Sequence, residues 1–137
     1  MYVSDIDDPT TIGALNFTTV DSTPGDIRAV ISDHREVFVF KSSSIEHFYN
    51  AGGPGFPFQR SNPGVIEAGI IETYTAAPEV ASTAAKIDNA VFWVGSNRRV
   101  YMMRGTQPQV ISTPWVENHI RARMVIGVGF LPFGSTF

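Results

Sequence analysis

The residues near the start of the chain whose types could bind a metal are three aspartates. Asp5, Asp7 and Asp8 offer the carboxylate oxygens that Ca²⁺ prefers. A calcium loop also requires glycine at its sixth position and glutamate at its twelfth, where this chain has Thr10 and Asn16. We therefore predict that the cluster forms Asx turns and a helix cap rather than a metal site.

Two further groups contain residues that occur in catalytic or metal sites. Ser32, Asp33 and His34 have the residue types of a hydrolytic triad, but three consecutive residues cannot all point at one another, and we predict a turn. His47 and His119 are isolated, because neither has a second ligand at metal spacing. We predict that they are ordinary strand and linker residues.

Arginines and glycines give the remaining candidates for a binding site. Arg98, Arg99 and Arg104 lie on or near one predicted hairpin, and a solvated strand face is the expectation there, with phosphate or a neighbouring subunit as the alternative contact. Residues 52–55 lack the lysine and serine or threonine of a phosphate loop. We predict that Phe56 and Phe58, beside them, tuck under the next sheet.

No nucleophile, base or metal set converges in these groups, so the sequence predicts no catalytic, cofactor-binding or metal residue, and no enzyme. The acceptor sequence Asn16-Phe17-Thr18 has no signal peptide beside it to place it in a glycosylating compartment. The absence of cysteine excludes disulfides and thiolate zinc sites. A formal charge of −3 is too small for a polybasic nucleic-acid clamp. The longest apolar stretch, residues 124–133, is too short and glycine-rich to span a bilayer, so we expect a soluble protein.

The elements that position these residues are predicted to be β-strands. Residues 37–40 form an unbroken apolar run, which is typical of a strand covered on both faces. Residues 41–44 form a turn, and residues 45–50 then alternate along a second strand. The same order of apolar run, polar turn and aromatic-bearing strand returns in residues 89–105, with Val91 following Val37 by 54 positions (91 minus 37). We therefore expect residues 91–94, like 37–40, to be covered on both faces.

Repeats of about 40 to 50 residues made of several strands favour the blades of a β-propeller, with a β-sandwich as the alternative. We predict an all-β chain of antiparallel sheets in one partial domain, residues 1–137, with blade-like units at about 27–60 and 85–112. Residues 14–20 are predicted as a short strand and 66–75 as an extended segment. Thr113 as N-cap and Pro114 at the first helical position predict a helix over 115–123, whereas 121–137 stays unassigned.

Five motifs in this order resemble the packaged-DNA stabilisation proteins of short-tailed phages, also called tail accessory or head-completion proteins. The motifs, which cover roughly residues 3–120, are Ser4-Asp5-Ile6-Asp7-Asp8-Pro9; Arg35-Glu36-Val37-Phe38-Val39-Phe40; Ser44-Ile45-Glu46-His47-Phe48-Tyr49-Asn50-Ala51-Gly52 with Phe56-Pro57-Phe58; Asp88-Asn89-Ala90-Val91-Phe92-Trp93-Val94-Gly95; and Pro108-Gln109-Val110-Ile111-Ser112-Thr113 through Glu117.

The resemblance implies a β-propeller body that forms a ring below the portal and closes the channel over packaged DNA. It implies as partners further copies of the chain and other portal and tail proteins, with at most weak non-specific DNA contact and no membrane. It implies a place in the virion tail after assembly in the host cytoplasm. The family's chains are several times longer, so we expect a fragment of about two blades, in which residues 121–137 depart from the family pattern. The alternative function is a propeller-type ligand- or glycan-binding module without catalysis.

Overall fold

The computed structural model of the chain describes residues 1–5, 7–53, 56–71 and 82–125. These residues form two four-stranded antiparallel sheets, each with its strands in sequence order, and one α-helix. The elements are β1 (Ile27–Asp33), β2 (Glu36–Lys41), β3 (Ile45–Asn50) and β4 (Phe58–Ile66) in the first sheet, β5 (Ala85–Ile87), β6 (Ala90–Val94), β7 (Val100–Arg104) and β8 (Gln107–Val110) in the second, and α1 (Pro114–Val125). The predicted all-β class with antiparallel sheets is confirmed.

The first sheet is built around the apolar run that the sequence places in a doubly covered strand. β2 is buried on both faces from residue 37 onwards. The turn that leads into it holds His34 and Arg35 at φ of 45° and 69°, which matches the twist of a tight hairpin. β4 extends to Ile66 and contains an irregularity, since Arg60 pairs with Phe48 but Val65 pairs with Glu46. Residues 61–64 therefore lie opposite a single residue of β3 as a bulge.

The second sheet repeats this plan with shorter strands. Its first turn contains Asp88 at a φ of 54°, 54 residues after His34. Counted between the innermost paired residues, its β6–β7 turn has five residues and the β2–β3 turn of the first sheet has four. The innermost pair is Val94 with Val100 in the second sheet, whereas it is Phe40 with Ile45 in the first.

The core lies between the two sheets. Its buried members come from both sheets and from the segment after β4, and they are Phe38, Phe40, Ile45, Ile66, Ala68, Ile70, Val91, Trp93 and Met103. Backbone bonds tie that segment to both sheets, because Ile70 N donates to Lys41 O at 2.8 Å and Ile71 N donates to Val94 O at 2.9 Å. Gly69 passes so close to the backbone of Ser42 that a Cβ there would overlap it.

Three expectations for the flanking segments had different outcomes. Residues 14–20 do not form a strand; Phe17 makes only an isolated bridge with Tyr2. Within the predicted extended segment 66–75, β4 ends at Ile66 and Ile70 forms a bridge to Gly95, while 72–75 lie outside the described residues. The helix is confirmed, and Glu117 N donates to Thr113 O at 3.0 Å in its first turn.

Candidate assembly interface

The aspartates at the start of the chain bond to nearby polar groups. The Asp8 carboxylate accepts hydrogen bonds from Thr10 N at 3.0 Å, from Thr10 Oγ1 at 2.6 Å and from Thr11 Oγ1 at 2.7 Å, which is an Asx turn. These bonds, the Thr10 hydroxyl first, lower the pKa of Asp8 from 3.8 to about 2. Asp5 accepts a bond from Asn16 Nδ2 at 2.6 Å. Within the part of the chain that the structure describes, no three potential ligands are grouped to hold a metal ion.

The end of β1 contacts the second sheet. Asp33 Oδ1 lies 2.7 Å from His34 Nδ1 and 2.6 Å from Lys86 Nζ of β5. The hydrogen bond from Lys86 is the main cause that lowers the pKa of Asp33 below 3.8. Ser32 and Asp33 are the last two residues of β1, and only His34 lies in the turn, so the predicted turn is right for His34 alone. The Asp33 carboxylate is an electrostatic link between the two sheets.

His47 is a strand residue of β3, as predicted, and it has close polar neighbours that the sequence did not identify. Its Nδ1 lies 2.6 Å from Ser61 Oγ and its Nε2 lies 3.4 Å from Glu36 Oε2. The ring stacks on Phe38 with centroids 4.7 Å apart, and His47 is only 3% exposed. Ser61, His47 and Glu36 thus connect β4, β3 and β2. Because the imidazole of His47 is buried, neither of its nitrogens is accessible to a substrate. The sequence could not pair His47 with Ser61, because the bulge in β4 shifts the register.

A buried charge network, which the sequence interpretation missed, holds the N-terminal segment (residues 1–23) on the first sheet. Lys41 and Glu46 are fully buried, with Nζ 2.7 Å from Oε1. Lys41 Nζ also donates to the backbone oxygens of Val20 at 2.5 Å and Thr23 at 2.6 Å. Arg60 lies 2.9 Å from the second Glu46 oxygen. The charges are therefore paired and hydrogen-bonded, as burial requires.

The N-terminal segment covers one face of the first sheet. Val37, Val39 and Phe48 are buried there, and the partly buried side chains packed against them are Met1, Val20 and Phe58. Phe58 thus packs on its own sheet, and the prediction that it tucks under the next sheet is wrong. The ring of Phe56 lies beside it, with centroids 5.9 Å apart.

Each sheet has two faces, which the pairing register makes comparable. In the first sheet, the front face is defined as the face that carries Phe38, Phe40, Ile45 and His47. The back face carries Val37, Val39, Glu46 and Phe48. The innermost pairs equate the front positions with Phe92, Val94, Val100 and Met102 of the second sheet, and the back positions with Val91, Trp93, Tyr101 and Met103.

The two sheets pack front to back. The core joins front residues of the first sheet to back residues of the second, and the rings of Phe40 and Trp93 meet edge to face at 5.4 Å. This is the relation between successive blades of a propeller, whose equivalent faces all point the same way around the axis. It differs from a sandwich, in which the inner faces of two sheets face each other.

The front face of the second sheet is here called the open face. The equivalent face of the first sheet is packed in the core between the two sheets. On the open face, Phe92, Val94, Val100 and Met102 are half-buried, and they belong to neither core cluster of the described residues. Ile87 at its edge is 64% exposed. The expectation that residues 91–94 are sealed on both faces is therefore wrong for this side of β6.

The three arginines that the sequence offers as a binding site lie at the two ends of the second sheet. Arg104 is exposed and follows Met102 by two positions on β7, which places it on the open face. Arg98 and Arg99 lie in the turn at the opposite end, where Arg99 Nε is 3.5 Å from Glu117 Oε2 of α1. His119 stacks on Trp115 at the start of α1, with centroids 5.4 Å apart.

Comparison with known families gives a match over nearly the whole chain. The family model described as Phage_stabilise: Bacteriophage P22 Gp10, beta-propeller matches residues 1–124, which include both sheets and all five sequence motifs. The comparison with curated proteins gave no match. Among the described residues, the structure has no helix whose length and apolar character suit a membrane span.

Proposed function

This chain belongs to the bacteriophage P22 Gp10 β-propeller family, and from that membership we propose that it acts in the phage head-to-tail connector, where it closes the portal channel and stabilises packaged DNA. Membership makes it a phage structural protein of the virion. Assembly in the host cytoplasm, before incorporation into the tail, is part of the proposal.

The observation that supports this role best is the front-to-back packing of two equivalent sheets. Such packing continues in one direction, because each added sheet buries one open face and offers another. A closed propeller needs about four blades or more. We propose that residues 1–137 are one partial propeller domain, with blade-like units at about 27–60 and 85–112, which is completed by further copies and by other portal and tail proteins.

The proposed action is mechanical and not enzymatic. A ring built from such sheets blocks the channel sterically, and rigid packing is what this requires. The formal charge of −3 disfavours strong adhesion to DNA, so DNA contact in the proposal is weak and non-specific.

Retention of DNA in packaged heads tests this function. Heads that contain DNA but lack their channel-closing protein are incubated with the purified full-length chain together with the other tail proteins, and DNase-accessible DNA is measured over time. We expect slower DNA release than with the other tail proteins alone. Equal release with and without the chain would contradict the proposed function.

A further inference from the structure

The N-terminal segment is bonded to itself through its backbone and adds no strand to the first sheet. Val3 N donates to Asn16 O and Thr18 N donates to Met1 O, both at 2.9 Å. Among the described residues, no backbone hydrogen bond joins the segment to a strand of either sheet. The segment can therefore leave the first sheet without breaking any strand pairing.

Side chains attach the segment to the first sheet. Lys41 Nζ donates to the backbone oxygens of Val20 and Thr23, and the Thr23 hydroxyl oxygen lies 2.5 Å from Ser44 Oγ. Met1 and Val20 add apolar contacts, but both side chains are only partly buried. The attachment thus depends on a few polar bonds and on little apolar burial, which is typical of a region that opens locally at a lower free-energy cost than global unfolding.

The buried charges remain paired when the segment leaves. Lys41, Glu46 and Arg60 belong to β2, β3 and β4, so the carboxylate keeps both of its cationic partners on the sheet. The segment supplies carbonyl oxygens to Lys41 and the exposed carboxylate of Asp21, which lies 3.6 Å from Arg60. Water replaces these oxygens once the segment has moved, so opening leaves no unpaired charge in apolar surroundings.

The surface under the segment is apolar. Three side chains of the back face are buried there, and they are Val37, Val39 and Phe48. Their counterparts in the second sheet, Val91, Trp93 and Met103, pack against the first sheet in the core. The back face of the first sheet is therefore a packing surface, and the segment keeps it out of water.

A glycine turn joins the segment to β1. Residues 24–26 contain Gly25 at a φ of 117°, a conformation that residues with a side chain rarely adopt. Loop residues of this kind absorb the change in φ and ψ when a segment swings about a hinge. Because Thr23 is attached to Lys41 and β1 begins at Ile27, the turn between them is where the segment can rotate.

We propose that the N-terminal segment is a displaceable cover: it swings about residues 24–26 as one unit while both sheets stay folded, and its position controls access to the apolar back face of the first sheet. The movement takes place within one chain and requires no second copy. The inference does not depend on the proposed role in the connector.

Single thiols test the proposal, because the chain contains no cysteine. Val39→Cys places a thiol under the segment, and Val91→Cys, the matched control, places one on the back face of the second sheet; both valines are fully buried. The rate at which a water-soluble disulfide reagent modifies each thiol is measured at increasing urea concentrations. Global unfolding of the same variant is followed by tryptophan fluorescence, so that a loss of overall stability is not mistaken for opening.

We expect the Val39→Cys thiol to react at least about tenfold faster than the Val91→Cys thiol, with a weaker dependence on urea, because opening exposes less surface than unfolding does. Adding Thr23→Val, which removes the hydroxyl contact with Ser44, should raise the first rate by about fivefold and leave the second unchanged. Thr11→Val, whose hydroxyl donates to Asp8 within the segment, should change neither rate.

Two results would overturn the inference. Equal rates for the two thiols, or a Val39→Cys rate with the urea dependence of global unfolding, would mean that the segment leaves only when the sheets unfold. A Thr23→Val change that accelerates both thiols equally would mean that the attachment stabilises the whole chain and not a separate cover. Either result would leave the DNA-retention test of the proposed function unaffected.

Discussion

At the scale of single residues, the attachment of the N-terminal segment depends on a buried lysine. Lys41 satisfies a buried carboxylate and two backbone oxygens at once, and so fixes the N-terminal segment to the first sheet. The sequence interpretation assigned Lys41 to a turn and saw no partner for it. Val20, Thr23 and Glu46 come together only through tertiary packing, so no local pattern in the sequence predicts the network.

Lys41→Met should destabilise the protein by about 3 to 5 kcal/mol, because Glu46 then keeps a buried charge with only Arg60 as partner. Lys41→Met combined with Glu46→Met should cost less than the single change, since no uncompensated carboxylate remains buried. Urea unfolding followed by tryptophan fluorescence measures both. A double variant that is less stable than the single one would refute the assignment of this network.

Asp33 gives a pH dependence of known sign. Its folded pKa lies below 3.8, chiefly through the bond from Lys86, so its ionised form favours the folded state. That contribution is complete above the unfolded value of 3.8 and is lost as the pH falls through the lower folded value. Asp33→Asn should therefore cost about 1 kcal/mol at pH 7, discounted because Lys86 is partly exposed.

The same variant should lose less stability than wild type when the pH is lowered from 6 to below 3.8. Thermal unfolding across this range is the measurement, with Asp26→Asn, an exposed carboxylate just before β1, as the control. Parallel pH profiles of wild type and Asp33→Asn would show that the link between the sheets contributes nothing.

At the scale of elements, sequence patterns predicted the strands and the helix whose formation depends on residues close together in the chain. The apolar run of β2, the repeated hairpin and the Thr113-Pro114 start of α1 follow from strand pairing and capping, which depend on near neighbours in the chain. The bulge in β4 and the position of the N-terminal segment did not follow, because they depend on packing against the first sheet. For the same reason the sequence missed the contact of His47 with Ser61.

Adjacent residues of β6 should differ in their effect on stability. Trp93 is buried between the sheets against Phe40 and Tyr101, whereas Phe92 is half-buried on the open face. Trp93→Ala should cost about 3 to 5 kcal/mol and Phe92→Ala less than half of that in the dilute protein. Equal losses in thermal unfolding at low concentration would mean that both faces of β6 are packed within one chain.

At the scale of the whole molecule, the repeat of 54 residues produces two equivalent sheets that pack in the same orientation, front face to back face. Equivalent residues point the same way in the two sheets, so the face that closes the core in one sheet is the open face in the other. The sequence left the propeller and the sandwich as alternatives, because period and strand content do not fix which faces meet. The front-to-back contact of Phe40 with Trp93 distinguishes them.

Two neighbouring methionines report on this arrangement most directly. The chain contains four methionines, and Met103 is buried between the sheets while Met102 lies on the open face. Methyl NMR of methionine-labelled protein, assigned with Met→Leu variants, measures how strongly a soluble paramagnetic probe broadens each signal. We predict that the Met102 signal is broadened in dilute protein and becomes protected as the protein associates, whereas the Met103 signal is protected throughout. Equal protection of both methyl groups in the monomer, or a Met102 signal that stays broadened in the assembled protein, would contradict the account.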